Sequence, residues 1–397
     1  TNFDFDSEGI KMIVDGDWVK ADGTTLGADN GLGVAAIMAI LESNELKHPP
    51  IEALFTIDEE TGMTGAMHLK GGLLDAEIML NLDTEDDHEL TIGCAGGIDI
   101  TASGIYMEVP TKSESLSFKI ALTGLNGGHS GMDIHKGLGN ANKLMNRLLY
   151  GLNEVMEFQL HDLNGGSLRN AIPRESFASI SFSVQNEDQF NTYIKAFSEK
   201  VKLEYNSTDE ELSIEAESIA TPSKALDAIF LGKLIRSIYA CPNGIYRMSP
   251  DIDDLVQTSN NLAKVSVGNS KYEILCLTRS SVDSEKMDEA NAIRSCFELM
   301  GADVELSGSY PGWTPKPNAR IVTTMTDLYK SMFQGEPDVN ACHAGLECGI
   351  LGTNYPEMEM ISFGPNIRGA HSPDEKTQIS SVQKFWKFLV ATLENIK

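Results

Sequence analysis

Two short apolar stretches, each followed by acidic residues, constrain the fold of this chain most strongly. Residues 51–57 are followed by an acidic turn that contains Glu59 and Glu60, and residues 78–82 are followed by Asp83. Apolar strands that alternate with helices indicate a mostly parallel sheet covered by helices on both faces. Because ligands of such sheets gather at the carboxyl ends of the strands, these carboxylates predict a binding site there.

The sequence pattern changes near residue 98 and changes back near residue 310. Residues 1–97 and 310–397 have the α/β pattern and include a predicted buried helix at 31–42. Residues 98–309 contain half-exposed strands of alternating apolar and polar residues, and a turn at 268–270 predicts a hairpin. We therefore predict an α/β catalytic domain with a mostly parallel sheet, interrupted by an inserted α+β lid or dimerisation domain that could hold two subdomains.

The last helix is predicted to begin at a capping sequence. Ser372 is a candidate N-cap, Pro373 fits the first turn, and Glu375 is the candidate partner of Ser372 in a capping box. Beyond them, apolar residues recur at helical spacing from 379 to 393. This spacing predicts one buried stripe along the helix.

The charge and the cysteines of the chain exclude some partners and indicate a compartment. Acidic residues outnumber basic ones 58 to 31, which gives a formal net charge of -27. Such a surface repels nucleic acids and anionic lipids, and no apolar run is long enough to cross a membrane. The six cysteines form no CxxC pair, which is typical of reduced thiols. We predict a cytoplasmic protein with neither nucleic-acid nor membrane partners.

Four segments place metal-ligating side chains at the edges of apolar elements. They contain Asp29, the pair Glu59 and Glu60, Asp83, and His371. Carboxylate and imidazole groups suit zinc, manganese or cobalt. Because neighbouring side chains diverge, one member of the pair can bind a metal while the other faces the attacking water. Each segment alone also fits a turn or a helix cap, but the combination and its order favour metal-assisted hydrolysis.

The order of these motifs resembles that of the dinuclear metallopeptidase superfamily, which includes carboxypeptidase G, bacterial di- and tripeptidases and the aminoacylases. The motifs are Gly-Ala-Asp-Asn-Gly at 27–31, Asp-Glu-Glu-Thr-Gly at 58–62, Asn-Leu-Asp at 81–83 and Ala-His-Ser-Pro at 370–373. Two more, Gly-Gly-His-Ser-Gly at 127–131 and His-Ala-Gly-Leu-Glu-Cys-Gly at 343–349, make the chain more similar to the aminoacyl-histidine dipeptidases (Xaa-His dipeptidase, peptidase D). The resemblance spans the whole chain.

This resemblance implies a role for each residue of the metal-binding segments. Asp29 would bridge two divalent metal ions, for which zinc is the expected element and cobalt or manganese the alternatives. Glu60 and His371 would complete one metal site, and Asp83 would bind the other metal. Glu59 would be the general base that activates a metal-bridged water.

Other residues are candidates for contacts with the substrate. The resemblance implies that His129 polarises the scissile carbonyl as an oxyanion donor, often in the partner subunit, so a homodimer is expected. The alternative for His129 is a loop histidine without a catalytic role. Arg279 is a candidate for holding the terminal carboxylate, with a surface salt bridge as its alternative. Asn170 is a candidate substrate contact, and Glu347 is a candidate contact for the substrate amino group.

One motif of the resembling family does not occur in this chain. The family carries a His-x-Asp motif ahead of the bridging aspartate, and its histidine binds the second metal. The 28 residues before Asp29 contain no histidine. We expect the natural polypeptide to be longer. If this chain is complete, the alternative is a non-catalytic homologue.

Taken together, these features predict a hydrolase of dipeptides, with Xaa-His (carnosine-like) dipeptides as the expected substrate class. The alternatives are a broader dipeptidase, an aminoacylase of the same superfamily, or a non-catalytic binding protein. The expected partners are a small peptide substrate and a second copy of the chain. A peptide would be expected between the α/β domain and the inserted lid, because clefts between domains often bind ligands.

Overall fold

The computed structural model describes residues 3–396 and divides them into two compact units. The first unit runs to Cys94 and resumes at Trp313, and the second unit is Ala95–Gly312. Within the described residues, no helix is both long enough and apolar enough to span a membrane.

The strands and helices are numbered in chain order. The strands are β1 (Met12–Asp15), β2 (Trp18–Ala21), β3 (Ile78–Asn81), β4 (Glu89–Cys94), β5 (Gly96–Ile105), β6 (Glu108–Pro110), β7 (Ser115–Thr123), β8 (Gly128–His129), β9 (Gln159–Gly165), β10 (Ala171–Ile172), β11 (Ser176–Ser183), β12 (Ser213–Ser218), β13 (Lys224–Leu226), β14 (Gly244–Met248), β15 (Val256–Gly268), β16 (Lys271–Ser280), β17 (Asp303–Tyr310), β18 (Asp338–Cys342), β19 (Glu359–Ser362), β20 (Ile367–Arg368) and β21 (Lys376–Gln378). The α-helices are α1 (Ala28–Glu42), α2 (Glu59–Gly62), α3 (Thr64–His68), α4 (Ala141–Val155), α5 (Glu187–Glu204), α6 (Ala228–Ala240), α7 (Asp283–Glu298), α8 (Arg320–Phe333), α9 (Glu347–Asn354) and α10 (Ile379–Asn395).

The first unit is built around a mixed sheet in the order β18-β4-β19-β3. β18 runs parallel to β4 and β19 runs parallel to β3, whereas β4 and β19 meet at one antiparallel bridge between Thr91 and Ser362. Helices α8 and α9 pack on β4, and α10 packs on α8. The predicted α/β class is confirmed, with a single antiparallel junction inside the parallel sheet.

Two predictions about the first unit are wrong in part. Residues 51–57 form no strand, because no described segment pairs with them in a hydrogen-bonded ladder. Helix α1 forms as predicted but is not buried all round, since Val34, Met38 and Leu41 are exposed. Its buried side chains, including Ala36 and Ile40, occupy only one face.

The C-terminal helix begins later than predicted. Helix α10 has Gln378 at its N-cap, so Ser372 does not cap it. The residues just before it instead form β21, which pairs with β2 and β20 in a second sheet of the first unit. Pairing with distant strands therefore replaces the predicted capping box. Phe385, Leu389 and Leu393 of the predicted stripe are buried, as expected.

The second unit contains a 9-stranded antiparallel sheet in the order β12-β7-β11-β9-β15-β16-β5-β17, with β14 pairing on β15. Helix α4 packs on β7, β11 and β15, and α7 packs on β5, β16 and β17. Helix α4 is positioned by its N-cap Asn140, whose side chain accepts from the Lys143 N–H, and by an apolar face that includes Leu144, Leu148 and Leu152. The α+β, antiparallel character predicted for this region is confirmed.

Candidate functional site

The first unit brings six of the predicted site residues into one cluster. Asp29 lies in the first turn of α1, Glu59 and Glu60 begin α2, and Glu347 begins α9. Asp83 lies two residues beyond the end of β3, and His371 lies in the loop between β20 and β21. The five carboxylates line a cavity of about 920 Å³ whose remaining wall is largely apolar. A cavity of this size and lining is typical of a small-ligand site.

Asp29, Glu60 and His371 form the tightest part of this cluster. His371 Nε2 lies 3.0 Å from Asp29 Oδ2 and 2.8 Å from Glu60 Oε2. The candidate ligand atoms of the three residues all lie within 4.8 Å of one another, a span that suits one ion with bonds of about 2 Å. Partial burial opposes the charging of His371, but Glu60 and Asp29 raise its pKa above the ordinary value overall. His371 also has a left-handed φ of 62°, which is uncommon for a non-glycine residue.

The remaining carboxylates are crowded by negative charge. Burial, together with the charges of Glu60, Glu347 and Asp29, raises the pKa of Glu59 to about 7. Burial, together with Asp29 and Glu59, raises the pKa of Asp83 to about 8. Carboxylates that raise each other's pKa in this way are stabilised by a bound cation. The donor set therefore fits divalent metal binding, with Asp29, Glu60 and His371 as one group of three candidate ligands.

Glu347 lies on the wall of the same cavity and is buried. Its Oε2 accepts a hydrogen bond from the Thr56 hydroxyl at 2.7 Å. Burial raises the pKa of Glu347, and the Thr56 hydrogen bond partly offsets this rise. Its Oε1 has no hydrogen-bond partner among the described residues. This oxygen is a free acceptor for a ligand donor.

Glu375 was not predicted as a site residue, and it holds the loop that carries Asp29. It is 2% exposed, and its carboxylate accepts hydrogen bonds from the backbone N–H groups of residues 26–29, at 2.6, 2.9, 2.8 and 3.2 Å. Four such donors offset the burial of a carboxylate. The predicted capping role of Glu375 is wrong, since its carboxylate is engaged by this distant loop. The sequence offered one signal, an acidic residue four positions after His371.

In the second unit, His129 is held as a neutral ring with a defined tautomer. Its Nδ1 accepts hydrogen bonds from the backbone N–H groups of Gly131 and Met132, at 3.2 and 3.0 Å. Burial and the charge of Arg279 lower the pKa of His129, with a smaller opposing effect from Asp133. A neutral imidazole whose Nδ1 accepts must carry its proton on Nε2. His129 therefore presents an Nε2–H donor.

Arg279, near the end of β16, is buried at 5% exposure. Its Nη1 donates to the hydroxyl of Tyr310 at 3.0 Å. Its Nε has no hydrogen-bond partner among the residues that the structure describes. The alternative of a surface salt-bridge arginine is wrong, because the side chain is inside the unit. A buried guanidinium N–H without a partner indicates a site for an anion.

Asn170 lies on the loop before β10 and is exposed. Its backbone carbonyl accepts from the Ser130 N–H at 2.7 Å, and Ala171 pairs with His129, so Asn170 is next to the histidine loop. The buried Asn261 side chain donates to the carbonyls of the two residues that flank Asn170, at 3.0 and 2.8 Å. The second unit thus holds the predicted Asn170 beside His129. Asn261 was not predicted, because its contact depends on pairing between distant segments.

The chain matches known proteins over almost its entire length. Residues 4–395 match Peptidase family M20/M25/M40. The chain is 43% identical over 399 residues to the cytosol non-specific dipeptidase of Escherichia coli (strain K12). This alignment covers 100% of this chain and 82% of that protein. The crystal structure of aminoacylhistidine dipeptidase from Vibrio alginolyticus superposes with a TM-score of 0.95 at 42% identity, over 100% of this chain and 81% of that chain.

A more distant structure shares the fold. Aminopeptidase PepT from Bacillus cereus matches with a TM-score of 0.53 at 15% identity, over 98% of this chain and 77% of that one. A cluster of carboxylates and a histidine, such as the one in the first unit, is consistent with the match to this peptidase family. The chain therefore belongs to the peptidase family M20/M25/M40 and is a peptide hydrolase of the metallopeptidase class, homologous to dipeptidases.

Proposed function

We propose that this chain is a metal-dependent dipeptidase whose main substrates are Xaa-His dipeptides. The observation that carries the proposal is the group of Asp29, Glu60 and His371, with Glu59 beside it. The name of the Vibrio alginolyticus relative, an aminoacylhistidine dipeptidase at 42% identity, supports the substrate class. The name of the Escherichia coli relative, a non-specific dipeptidase at 43% identity, supports broader dipeptide hydrolysis as the second candidate.

Two divalent ions, zinc by preference and cobalt or manganese as alternatives, fit the donor set. Asp29, Glu60 and His371 would hold one ion, and Asp83 would hold the other with Asp29 as the shared ligand. The crowding of these carboxylates supports this assignment, because burial and the charge of Asp29 raise the pKa of both Glu60 and Asp83. When bound, the ions supply Lewis-acid activation of the attacking water and of the scissile carbonyl.

Glu59 is the proposed general base. It takes a proton from the attacking water and passes that proton to the leaving amine. Its position next to Glu60 in the first turn of α2 supports this division of roles, because adjacent side chains on a helix diverge. Its pKa of about 7, raised by burial and by neighbouring carboxylates, suits a group that both accepts and returns a proton.

Four other residues have proposed roles in substrate binding and in stabilising charge. The Nε2–H of His129 donates to the oxyanion that forms when water attacks the carbonyl. Arg279 binds the terminal carboxylate of the dipeptide, which would satisfy its unpaired Nε–H. Glu347 accepts from the substrate ammonium group through its free Oε1, and Asn170 contacts the peptide beside His129.

We also propose that the first unit is the catalytic domain and that the second unit is the lid and dimerisation domain of a cytoplasmic homodimer. The compact division of the chain supports the domain assignment, and the word cytosol in the name of the Escherichia coli relative supports the location. Sedimentation of the full-length gene product tests the dimer. A monomer at assay concentration contradicts it.

The central test replaces Glu59 by Gln in the full-length gene product loaded with zinc. Glu59→Gln should reduce the release of histidine from an Xaa-His dipeptide by on the order of 10²–10⁴, because proton transfer is lost, and should leave the bound metal unchanged. Glu85→Gln is the matched control, since Glu85 is a nearby exposed carboxylate without a proposed role. Near-normal turnover by Glu59→Gln rejects the assignment of the base.

A substrate panel separates the two candidate functions. Xaa-His dipeptides, dipeptides with other C-terminal residues, and N-acyl amino acids are compared by kcat/KM on the same preparation. A clear preference for C-terminal histidine supports the Xaa-His proposal, and equal rates across dipeptides support the broader one. Hydrolysis of N-acyl amino acids alone would overturn both and indicate an aminoacylase.

A further inference from the structure

We propose that Tyr310 is a positioning residue for Arg279, and that Gly97 lies between them because only a residue without a side chain leaves room for this contact. The proposal rests on the proposed role of Arg279 in binding the substrate carboxylate. All three residues belong to the second unit. They lie on three adjacent strands of its large sheet, β16, β5 and β17.

The strand register places the three residues in one row. Arg279 of β16 is opposite Gly97 of β5, and Gly97 is also opposite Tyr310 of β17. Side chains at directly opposite positions of antiparallel strands point to the same face of the sheet. Tyr310 and Arg279 therefore share a face with one strand between them, and the Tyr310 hydroxyl reaches across that strand to accept from Arg279 Nη1 at 3.0 Å.

Gly97 makes this reach possible by its lack of a side chain. A Cβ atom at position 97 would lie 2.6 Å from the Tyr310 hydroxyl oxygen and 2.7 Å from two carbons of its ring. Such distances are far below van der Waals contact. The ring of Tyr310 thus occupies the space that a side chain at 97 would need. Position 97 therefore requires glycine because a side chain would not fit, and not because of an unusual backbone angle, since the φ angle of Gly97 is not positive.

The backbone of Tyr310 is itself anchored. The pairing of β17 with β5 shifts register between Ser307 and Tyr310, as in a β-bulge, which can re-aim a side chain. The buried Lys286 of α7 donates to the Tyr310 carbonyl at 2.6 Å and to Asp283 Oδ1 at 2.8 Å. The Gly312 N–H donates to the same Asp283 oxygen at 3.2 Å. The hydroxyl of Tyr310 is therefore a fixed acceptor.

Another acceptor on the same strand is already engaged. Asp99, two residues after Gly97 on β5, forms an ion pair with Arg169 Nε at 3.2 Å. Arg169 also donates to the carbonyls of Ile100 and Cys276, both at 3.0 Å. Arg279, by contrast, donates through Nη1 to the Tyr310 hydroxyl. A long arginine side chain held at one terminal nitrogen keeps its Nε–H oriented for a ligand carboxylate.

The test compares Tyr310→Phe with Tyr272→Phe in the zinc-loaded, full-length gene product. Tyr272 is a matched control, because its ring covers Gly104 across the same pair of strands, β16 and β5, at another position. Tyr310→Phe should raise KM for an Xaa-His dipeptide about tenfold, the scale of one hydrogen bond to a charged group, with little change in kcat. KM for the C-terminal amide of the same dipeptide should not change, and Tyr272→Phe should leave both substrates unaffected.

Two outcomes of this comparison overturn the inference. An unchanged KM for the dipeptide after Tyr310→Phe shows that the hydroxyl does not position Arg279. Equal losses for the dipeptide and its amide show a structural role only. Because Tyr310→Phe removes a single oxygen, folding should be preserved, and Gly97→Ala serves as a second variant that should raise KM in the same direction.

Arg279→Lys separates failure of the inference from failure of the proposed function. If Arg279→Lys raises KM for the dipeptide but Tyr310→Phe does not, only the role of Tyr310 is rejected. If Arg279→Lys leaves KM unchanged, the carboxylate-binding role of Arg279 is rejected, and the inference falls with it. Dipeptide binding measured by calorimetry in the Glu59→Gln background gives the same comparison without turnover.

Discussion

Carboxylates in the first unit have two opposite kinds of surroundings. Glu375 is surrounded by backbone N–H donors, which stabilise its negative charge and fix the loop at residues 26–29. Asp83 and Glu59 are surrounded by other carboxylates, which raise the pKa of both groups. The first arrangement is complete within the protein, whereas the second is stabilised by a bound cation. The same residue type thus serves as a support in one place and as a ligand or base in another.

The supporting role of Glu375 gives a prediction about metal affinity. Glu375→Gln removes the charge and turns a donor amide toward the N–H groups of residues 26–29, so the Asp29 loop should lose its fixed position. We expect zinc affinity to fall about 10- to 100-fold, the range for residues that orient metal ligands. Competition with a chelator measures the affinity. The exposed neighbour Asp374→Asn is the control, and equal affinity of Glu375→Gln and wild type would contradict the prediction.

At the scale of elements, local sequence patterns predicted those structures that depend on interactions between residues close together in the chain. The hairpin predicted at residues 268–270 forms between β15 and β16, and its turn residues Asn269 and Ser270 have φ of 52° and 61°, as a type I′ turn requires. Residues 51–57 have the composition of a strand, but a strand also needs a partner, which the pattern does not specify. The segment after Ser372 had the pattern of a helix start, yet pairing of β21 with β2 decided its structure.

Helix α7 carries a buried acid that gives a prediction about stability and pH. Glu289 is 1% exposed, and neither of its carboxylate oxygens has a hydrogen-bond partner among the described residues. Burial, with smaller effects of Glu285 and Asp288, raises its pKa to about 8. Between its unfolded pKa of about 4.3 and this value, the folded state binds more protons than the unfolded state. The Glu289 contribution to the free energy of unfolding therefore falls as pH rises through that interval.

Urea unfolding of wild type and Glu289→Gln between pH 5 and 9 measures this contribution. The stability of wild type relative to the variant should fall by up to about 1.4 kcal/mol per pH unit until Glu289 is ionised, because the glutamine does not titrate. Glu199→Gln, which changes an exposed acid of the separate helix α5, is the control and should follow the wild-type pH dependence. Parallel curves for wild type and Glu289→Gln would show that Glu289 is ionised or solvated in the folded state.

At the scale of the whole molecule, the sequence predicted the fold class and most of the residues that lie together in the cluster of the first unit. Asp29, Glu60 and His371 were predictable because each stands in a compact motif next to an apolar element. Tyr310 and Asn261 were not, because their contacts depend on which distant strands become neighbours and in which register. A single sequence contains the chemistry of each segment but specifies long-range register only weakly.

Removal of metal should affect the two units differently, because the proposed ligands all lie in the first. They come from segments near residues 29, 60, 83 and 371, so bound ions would hold four separate parts of that unit together. At a free zinc concentration 100 times its Kd, binding adds about 2.7 kcal/mol to the free energy of unfolding, and a chelator should remove this amount and lower Tm.

Hydrogen exchange after chelation should quicken at residues 26–31 and 369–375 and stay unchanged in the β15–β16 hairpin. His371→Ala should exchange like the chelated wild type, whether or not zinc is added. If chelation leaves Tm unchanged, or quickens exchange equally in both units, the ions do not bind where the carboxylates of the first unit converge.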